Sequence, residues 1–256
     1  IRFLAAALAV LPFAAVEARR AGAPLLPDAG QWARFSLLGT LLFSSLAAQQ
    51  IGLLTTSVTN SGFLTGLYVV LTPVIGVALW RFWPHPVVWP AALLALAGIA
   101  LLSGGAFTGL SAGDWWTILC ACLWACHVQF LGRFVGSARP LQLACSQFFV
   151  CGLLGIAVAF AVEPVAWSMV TASAGEILFA GVISGGLAFT IQAIAQRHTT
   201  APQAAIFMSS EALFAALFGA LLLGERIDTA GLAGCALIFV AILSVELVPM
   251  MRRERR

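Results

Sequence analysis

Residues 95 to 103 read Ala-Leu-Ala-Gly-Ile-Ala-Leu-Leu-Ser, and residues 236 to 244 read Ala-Leu-Ile-Phe-Val-Ala-Ile-Leu-Ser; both end on serine, Ser103 and Ser244, 141 positions apart. Neither stretch carries a charge or alternates with period two, so each reads as the interior of a membrane helix and not as a strand. The echo extends upstream. Gln49-Gln50-Ile-Gly-Leu-Leu-Thr55-Thr56 ends one apolar run before a second that reaches Leu79, and Gln192-Ala-Ile-Ala-Gln-Arg-His-Thr199-Thr200 does the same about 140 residues later. A long apolar chain that repeats itself in this order is built from two copies of one helical unit.

Composition agrees. Of 256 residues, 61% are hydrophobic and 9% charged, with a mean hydropathy of +1.02, whereas soluble domains run near 45–50% apolar and about 25% charged. Too few charges are present to face water, which excludes a soluble enzyme, a nucleic-acid binder and a disordered tail. Breaks at Gly, Pro and charged clusters place spans near 2–18, 33–54, 57–80, 87–105, 114–135, 140–162, 175–196, 200–223 and 230–248, an all-α polytopic membrane protein with nine predicted transmembrane helices. The connectors left over are too short for a nucleotide-binding cassette.

All 13 basic residues are arginines, and their placement sets an orientation through the excess of basic residues in cytoplasmic loops. Residues 252 to 256, Arg-Arg-Glu-Arg-Arg, put the C-terminus in the cytoplasm. Counting spans backwards adds Arg19, Arg20, Arg34, Arg81, Arg133, Arg139 and Arg197 to that side, leaving Arg2 and Arg226 outside. Trp32, Trp89, Trp115, Trp116 and Trp167 fall near span ends, as an aromatic belt requires. Asp114, Glu163 and Glu176 read as boundary charges on external loops. The expected location is the cell (inner) membrane, with the bilayer itself as a partner.

Matching the repeats leaves the helix at 114–135 without a counterpart, and that counterpart is expected before Ile1. The chain then reads as nine helices of a ten-helix fold: a first repeat over 1–105 lacking its first helix, a second over 114–248, and a basic cytoplasmic tail at 249–256. The alternative, a cleaved leader with 2–18 as its apolar core, is poorly served by Arg2 and by Glu17-Ala-Arg-Arg20. Five spans per repeat is odd, so the repeats insert in opposite senses. Inverted repeats are the architecture of many secondary transporters, with the substrate site near the midplane at the repeat interface.

The local motifs resemble those of the drug/metabolite transporter superfamily, its EamA-type members in particular. They are Thr55-Thr56-Ser57-Val58-Thr59-Asn60-Ser61-Gly62-Phe63 leading to Leu67-Tyr68 and Pro73, and Thr199-Thr200-Ala201 leading to Ser210-Glu211-Ala212-Leu213-Phe214-Ala215-Ala216 and Leu223-Gly224-Glu225-Arg226. Ala212 stands where the family pattern has proline, and Arg81-Phe-Trp-Pro84 replaces Gly-Glu-Arg in the first repeat. The resemblance implies a ten-helix exporter of amino acids, other small metabolites or drugs.

Ionisable groups at membrane depth are costly and are functional candidates by default. Two are singled out, His127 and Glu211, as candidates for proton coupling; Glu211 lies near the middle of its span. Amides and hydroxyls cluster in adjacent spans, and Gln50, Asn60, Tyr68, Gln147, Gln192 and Ser210, with Trp124 one turn before His127, are the expected cavity residues for a small zwitterionic or aromatic solute. Single polar groups at this depth more often bridge helices, and a lone carboxyl can simply brace an interface. Glu225-Arg226 reads as an interfacial charge pair or part of an outer gate, with Asp228 close by. Cysteines 120, 122, 126, 145, 151 and 235 read as packing residues and not a metal site. No cofactor is expected, and no nucleophile-base pair suggests an enzyme. The chain is expected to be a secondary transporter working by alternating access. The alternatives are an uncoupled facilitator or a structural or flippase-like subunit for lipid-linked substrates.

Overall fold

A computed structural model describes residues 1–104, 110–162, 167–224 and 226–253; Glu163, Glu225 and tail residues 254–256 lie outside the described residues. The described secondary structure is helical throughout: α1 (Arg2–Arg20), α2 (Ala29–Gly52), α3 (Val58–Gly66), α4 (Tyr68–Trp80), α5 (Val88–Leu102), α6 (Ala112–Val135), α7 (Pro140–Val162), α8 (Trp167–Ala172), α9 (Ala174–Leu178), a π-helical segment Phe179–Ala188, α10 (Phe189–Ala195), α11 (Ala201–Met208), α12 (Ser210–Leu223) and α13 (Thr229–Arg253). Among the described residues, seven ranges are long and apolar enough to cross a bilayer: Ala29–Gly52, Val58–Trp80, Ala112–Val135, Pro140–Val162, Ala174–Ala195, Ala201–Leu222 and Thr229–Pro249. Helix α5 is equally apolar but has 15 residues, about 22 Å at 1.5 Å per residue, and α1 carries Glu17, Arg19 and Arg20 in its last turn.

The starts of these helices follow local chemistry. Asp28 and Gln31 exchange backbone hydrogen bonds as a capping box for α2, Ser57 Oγ accepts from Asn60 N at the start of α3, and Thr200 with Gln203 caps α11. Each satisfies amides that the first turn leaves without intrahelical partners. The ends are equally legible. Gly224 terminates α12 in the left-handed region at φ 68°, and Arg81 terminates α4 there at φ 52°, 143 residues earlier. A side chain in that region costs about 1 kcal/mol that glycine avoids. Arg81→Gly is therefore expected to raise stability by about 0.5–1 kcal/mol, read as a higher melting temperature in detergent; an unchanged or lower value would show that the arginine side chain stabilises more than the turn costs.

The chain divides into two compact units, each drawing on both halves of the sequence: 1–44 with 130–199, and 45–129 with 200–256. In the first, α1 packs on α7 and on the π-helical segment. The contact depends on small residues. A Cβ on Gly152 would strike Leu4, and one on Gly181 would lie 2.6 Å from the Arg2 carbonyl, so Gly181-x-x-x-Gly185 does admit a close neighbour. Glu17 of α1 accepts from the Gln142 N–H at 3.1 Å and so caps α7. Phe35, Leu38, Leu131, Leu143 and Ala193 form this unit's core.

The second unit is built around α5 and α13, which cross with Gly98 against Gly234. Tyr68 and Val69 of α4, Ala205 and Ile206 of α11, and Ala121 and Ala125 of α6 join Ile99 and Ile238 in one core. The junctions within the spans Val58–Trp80 and Ala201–Leu222 fall at Leu67 and Ser209, 142 residues apart. Both junctions are tightened turns, with Leu67 N–H donating to Leu64 O and Ser209 N–H to Ile206 O, each at 3.2 Å. With Ala212 in the proline position the chain stays helical through Ser209, tightened by one turn and not unwound.

Candidate functional site

Tyr68 and Glu211 stand on one cavity of about 900 Å³ in the second unit. It is lined by Gln49, Thr59, Gly62, Thr65 and Gly66 from the end of α2 and from α3, by Ser209, Glu211, Ala212, Ala215 and Ala216 from the α11–α12 junction onward, and by Arg226 and Asp228 from the connector to α13. Glu211 is exposed on the first turn of α12 and lies close enough to Tyr68 to act on it electrostatically. Tyr68 is otherwise buried at the start of α4.

The helices that flank the cavity are held unequally. Helices α4 and α11 pack on one another. Helix α11 is further tied to α13 by the Gln203 amide donating to Val245 O at 3.2 Å. No comparable packing joins α3 and α12 among the described residues, and both present exposed faces: Val58 is 79% exposed, and Phe214 and Leu222 stand out from α12.

Arg226 and Asp228 give the cavity a second charged region. Asp228 Oδ1 accepts from Gly231 N at 2.7 Å, the N-cap of α13, which accounts for its place in the sequence. Among the described residues no carboxylate lies within ion-pairing distance of Arg226. Glu225, expected as its partner, lies outside them. The cavity therefore carries Glu211 on one side and Arg226 with Asp228 on the connector to α13.

The remaining expected residues are placed as follows. Gln50 is exposed one residue past the lining Gln49, whose amide donates to Thr65 Oγ1 at 3.2 Å. Asn60 follows Thr59, and its backbone N–H donates to Ser57 Oγ at 3.1 Å. Ser210 follows Ser209, whose hydroxyl donates to Ile206 O. His127 is fully buried and stacks on Trp124 with ring centroids 5.7 Å apart; neither lines the cavity. Gln147 is buried in the first unit, and the Gln192 amide there donates to Gln196 Oε1 at 3.4 Å. The cysteines are free, and no cluster of His, Cys, Asp and Glu that could hold a metal occurs among the described residues.

Two buried polar residues outside the expected set hold the second unit together. Gln129 donates to the Thr72 carbonyl at 2.6 Å, in the turn before Pro73, and Gly76 leaves room for its amide, since a Cβ there would overlap it. Asp114 is only 2% exposed, where a boundary charge on a loop is expected. The signal that could have found it is Ser111-x-x-Asp114, a capping-box spacing. Ser111 N and Oγ donate to Asp114 Oδ2 at 2.7 and 2.8 Å, Asp114 N donates to Ser111 Oγ, and Thr56 Oγ1 donates to Asp114 Oδ1.

A model described as the EamA-like transporter family matches residues 1–104 and 111–247. An uncharacterized transporter from Archaeoglobus fulgidus is 29% identical over 213 residues, 82% of this chain and 67% of that protein. A crystal structure of a protein 18% identical to this chain superposes over 97% of this chain and 89% of that one with a TM-score of 0.73, a likeness of fold. Seven apolar spans and a family match over both halves lead to one conclusion: the chain is a multi-pass membrane protein that belongs to the EamA-like transporter family.

Proposed function

We propose that the chain carries a small organic solute across the cell membrane by alternating access, exporting it outward, with Glu211 as the coupling carboxyl. The observation that carries this reading is the cavity itself, which holds Glu211 and Tyr68 beside the tightened turns of two spans. Its volume of about 900 Å³ lies in the range of sites for small organic ligands, roughly 300–1,000 Å³. A carboxylate at one place and an arginine at another suit a solute with both an ammonium and an acidic group. The tightened turns at Leu67 and Ser209 and the matched helix ends at Arg81 and Gly224 support the inverted five-helix repeats, with nine of ten helices in this chain. On the orientation the arginines set, α3 and α12 are the outer halves of their spans, so their looser packing corresponds to a cavity open outward and sealed inward by α4 against α11.

Expression of the full-length protein in a bacterial host deleted for its own exporters tests this, with growth scored against toxic levels of individual amino acids and drugs. Rescue by one solute class, matched by export from preloaded cells, is the expected result; no rescue across the panel by a protein that reaches the membrane would sink the reading.

One observation favours a second reading, the handling of lipid-linked substrates. The first unit holds a cavity of about 390 Å³ lined mainly by apolar side chains, among them Leu4, Leu8, Leu11, Trp32 and Phe149. Amphiphile transfer between vesicle leaflets, without rescue in the solute panel, would move the assignment there.

A further inference from the structure

Asp114 is covered to 2% exposure by its immediate neighbours, and the donors to its carboxylate come from two places. Ser111 supplies a backbone N–H and a hydroxyl within the cap of α6. Thr56, in the connector before α3, supplies the other through its hydroxyl. A cap needs only the first pair. The Thr56 hydroxyl ties a different segment to the carboxylate, and the backbone is shaped to allow it: a Cβ on Gly113 would run into Gly52 O and Thr55 Oγ1, and one on Gly52 would lie 2.9 Å from Gly113 O.

One face of α3 packs on the core through Ser61, Phe63 and Leu64, and the other is open. At its far end Thr65 accepts from Gln49, and Gly66 sits against Ile99; its first turns leave Val58, Thr59 and Gly62 exposed. Its cavity face is Thr59, Gly62, Thr65 and Gly66. Beyond it the chain enters the tightened turn at Leu67 and then the well-packed α4. The clamp at Thr56 thus fixes the end of α3 that lies farthest from the tightened turn at Leu67.

We propose that Asp114 is a positioning residue: through the Thr56 hydroxyl it clamps the connector that leads into α3 and so sets the wall that α3 presents to the cavity. Asp114 touches no solute. Releasing it frees α3 to pivot at Leu67, while the α5–α13 core stays in place.

Hydrogen–deuterium exchange of the full chain in phospholipid nanodiscs tests this in the parent, Asp114→Asn and Thr56→Val. Each lost hydrogen bond is worth about a factor of ten or less in local opening. Peptides over residues 57–66 should exchange roughly tenfold faster in Asp114→Asn and about threefold faster in Thr56→Val, with residues 88–102 unchanged. Thr56→Val leaves the Ser111–Asp114 cap intact, so it separates the clamp from the cap, and it alone decides the matter if Asp114→Asn does not fold. Acceleration shared by both regions, or absent from both, overturns the proposal. The measurement needs no solute, so its outcome stands apart from whether the chain is a carrier.

Discussion

Glu211→Gln is expected to reduce export of the rescued solute at least about tenfold, equivalent to about 1.4 kcal/mol, and to flatten its dependence on external pH. Glutamine keeps the size and hydrogen-bonding reach of the side chain but cannot gain or lose a proton, so packing is preserved while charge is removed. The environment makes that charge matter. Glu211 faces the cavity on the first turn of α12, beside Tyr68, in a span where an unpartnered ionised group is costly. A carrier that uses the carboxyl for coupling would bind or release a proton there in each cycle. One that uses it to hold the solute's ammonium group would lose apparent affinity in Glu211→Gln while keeping its pH profile. Transport with unchanged rate, affinity and pH profile would leave Glu211 no role. Arg226→Gln provides a comparison at the other charged region: it should weaken solutes bearing an acidic group and spare those without one.

The span pattern was legible because apolar length and charge are properties of a segment, independent of how the helix is turned. Ranges 114–135 and 140–162 agree with α6 and α7 to within two residues. The lining was harder, because it depends on helical phase. Gln50, Asn60 and Ser210 each stand one residue after a lining position, at Gln49, Thr59 and Ser209, and one residue turns a helix by about 100°. Composition says that polar groups cluster there but cannot choose between neighbours. Asp114 escaped for another reason: position near a span end marked it as a loop charge, while the Thr56 hydroxyl that covers it comes from more than fifty residues away. Arg226, with Asp228 close by, reads as part of an interfacial charge pair or outer gate, and only the return of the chain into α13 shows that both line the cavity.

Gly98→Leu is expected to prevent the protein from accumulating in a folded form, and Gly98→Ala to lower its stability by about 1–3 kcal/mol, since both overpack a tight core. The reason is local and rigid. A Cβ at Gly98 would stand 2.6 Å from the Gly234 carbonyl oxygen and 2.7 Å from Ile238 Cγ1. The first of these is backbone, so no rotamer change relieves it, and α5 and α13 would have to separate along the seam where Ala95, Ile99, Ile238 and Ala241 are buried. Between membrane helices the gain comes from close packing itself, so separation loses the contact that holds the pair. Gly62→Ala is the counterpart. No atom lies within 4 Å of a Cβ there, so alanine should leave the fold intact and add up to about 1 kcal/mol of helix propensity to α3. Melting curves from size-exclusion chromatography of detergent extracts would separate the two sites. A Gly98→Leu protein that melts with the parent would show that α5 and α13 do not meet at these glycines, and the core drawn around them would then have to be abandoned.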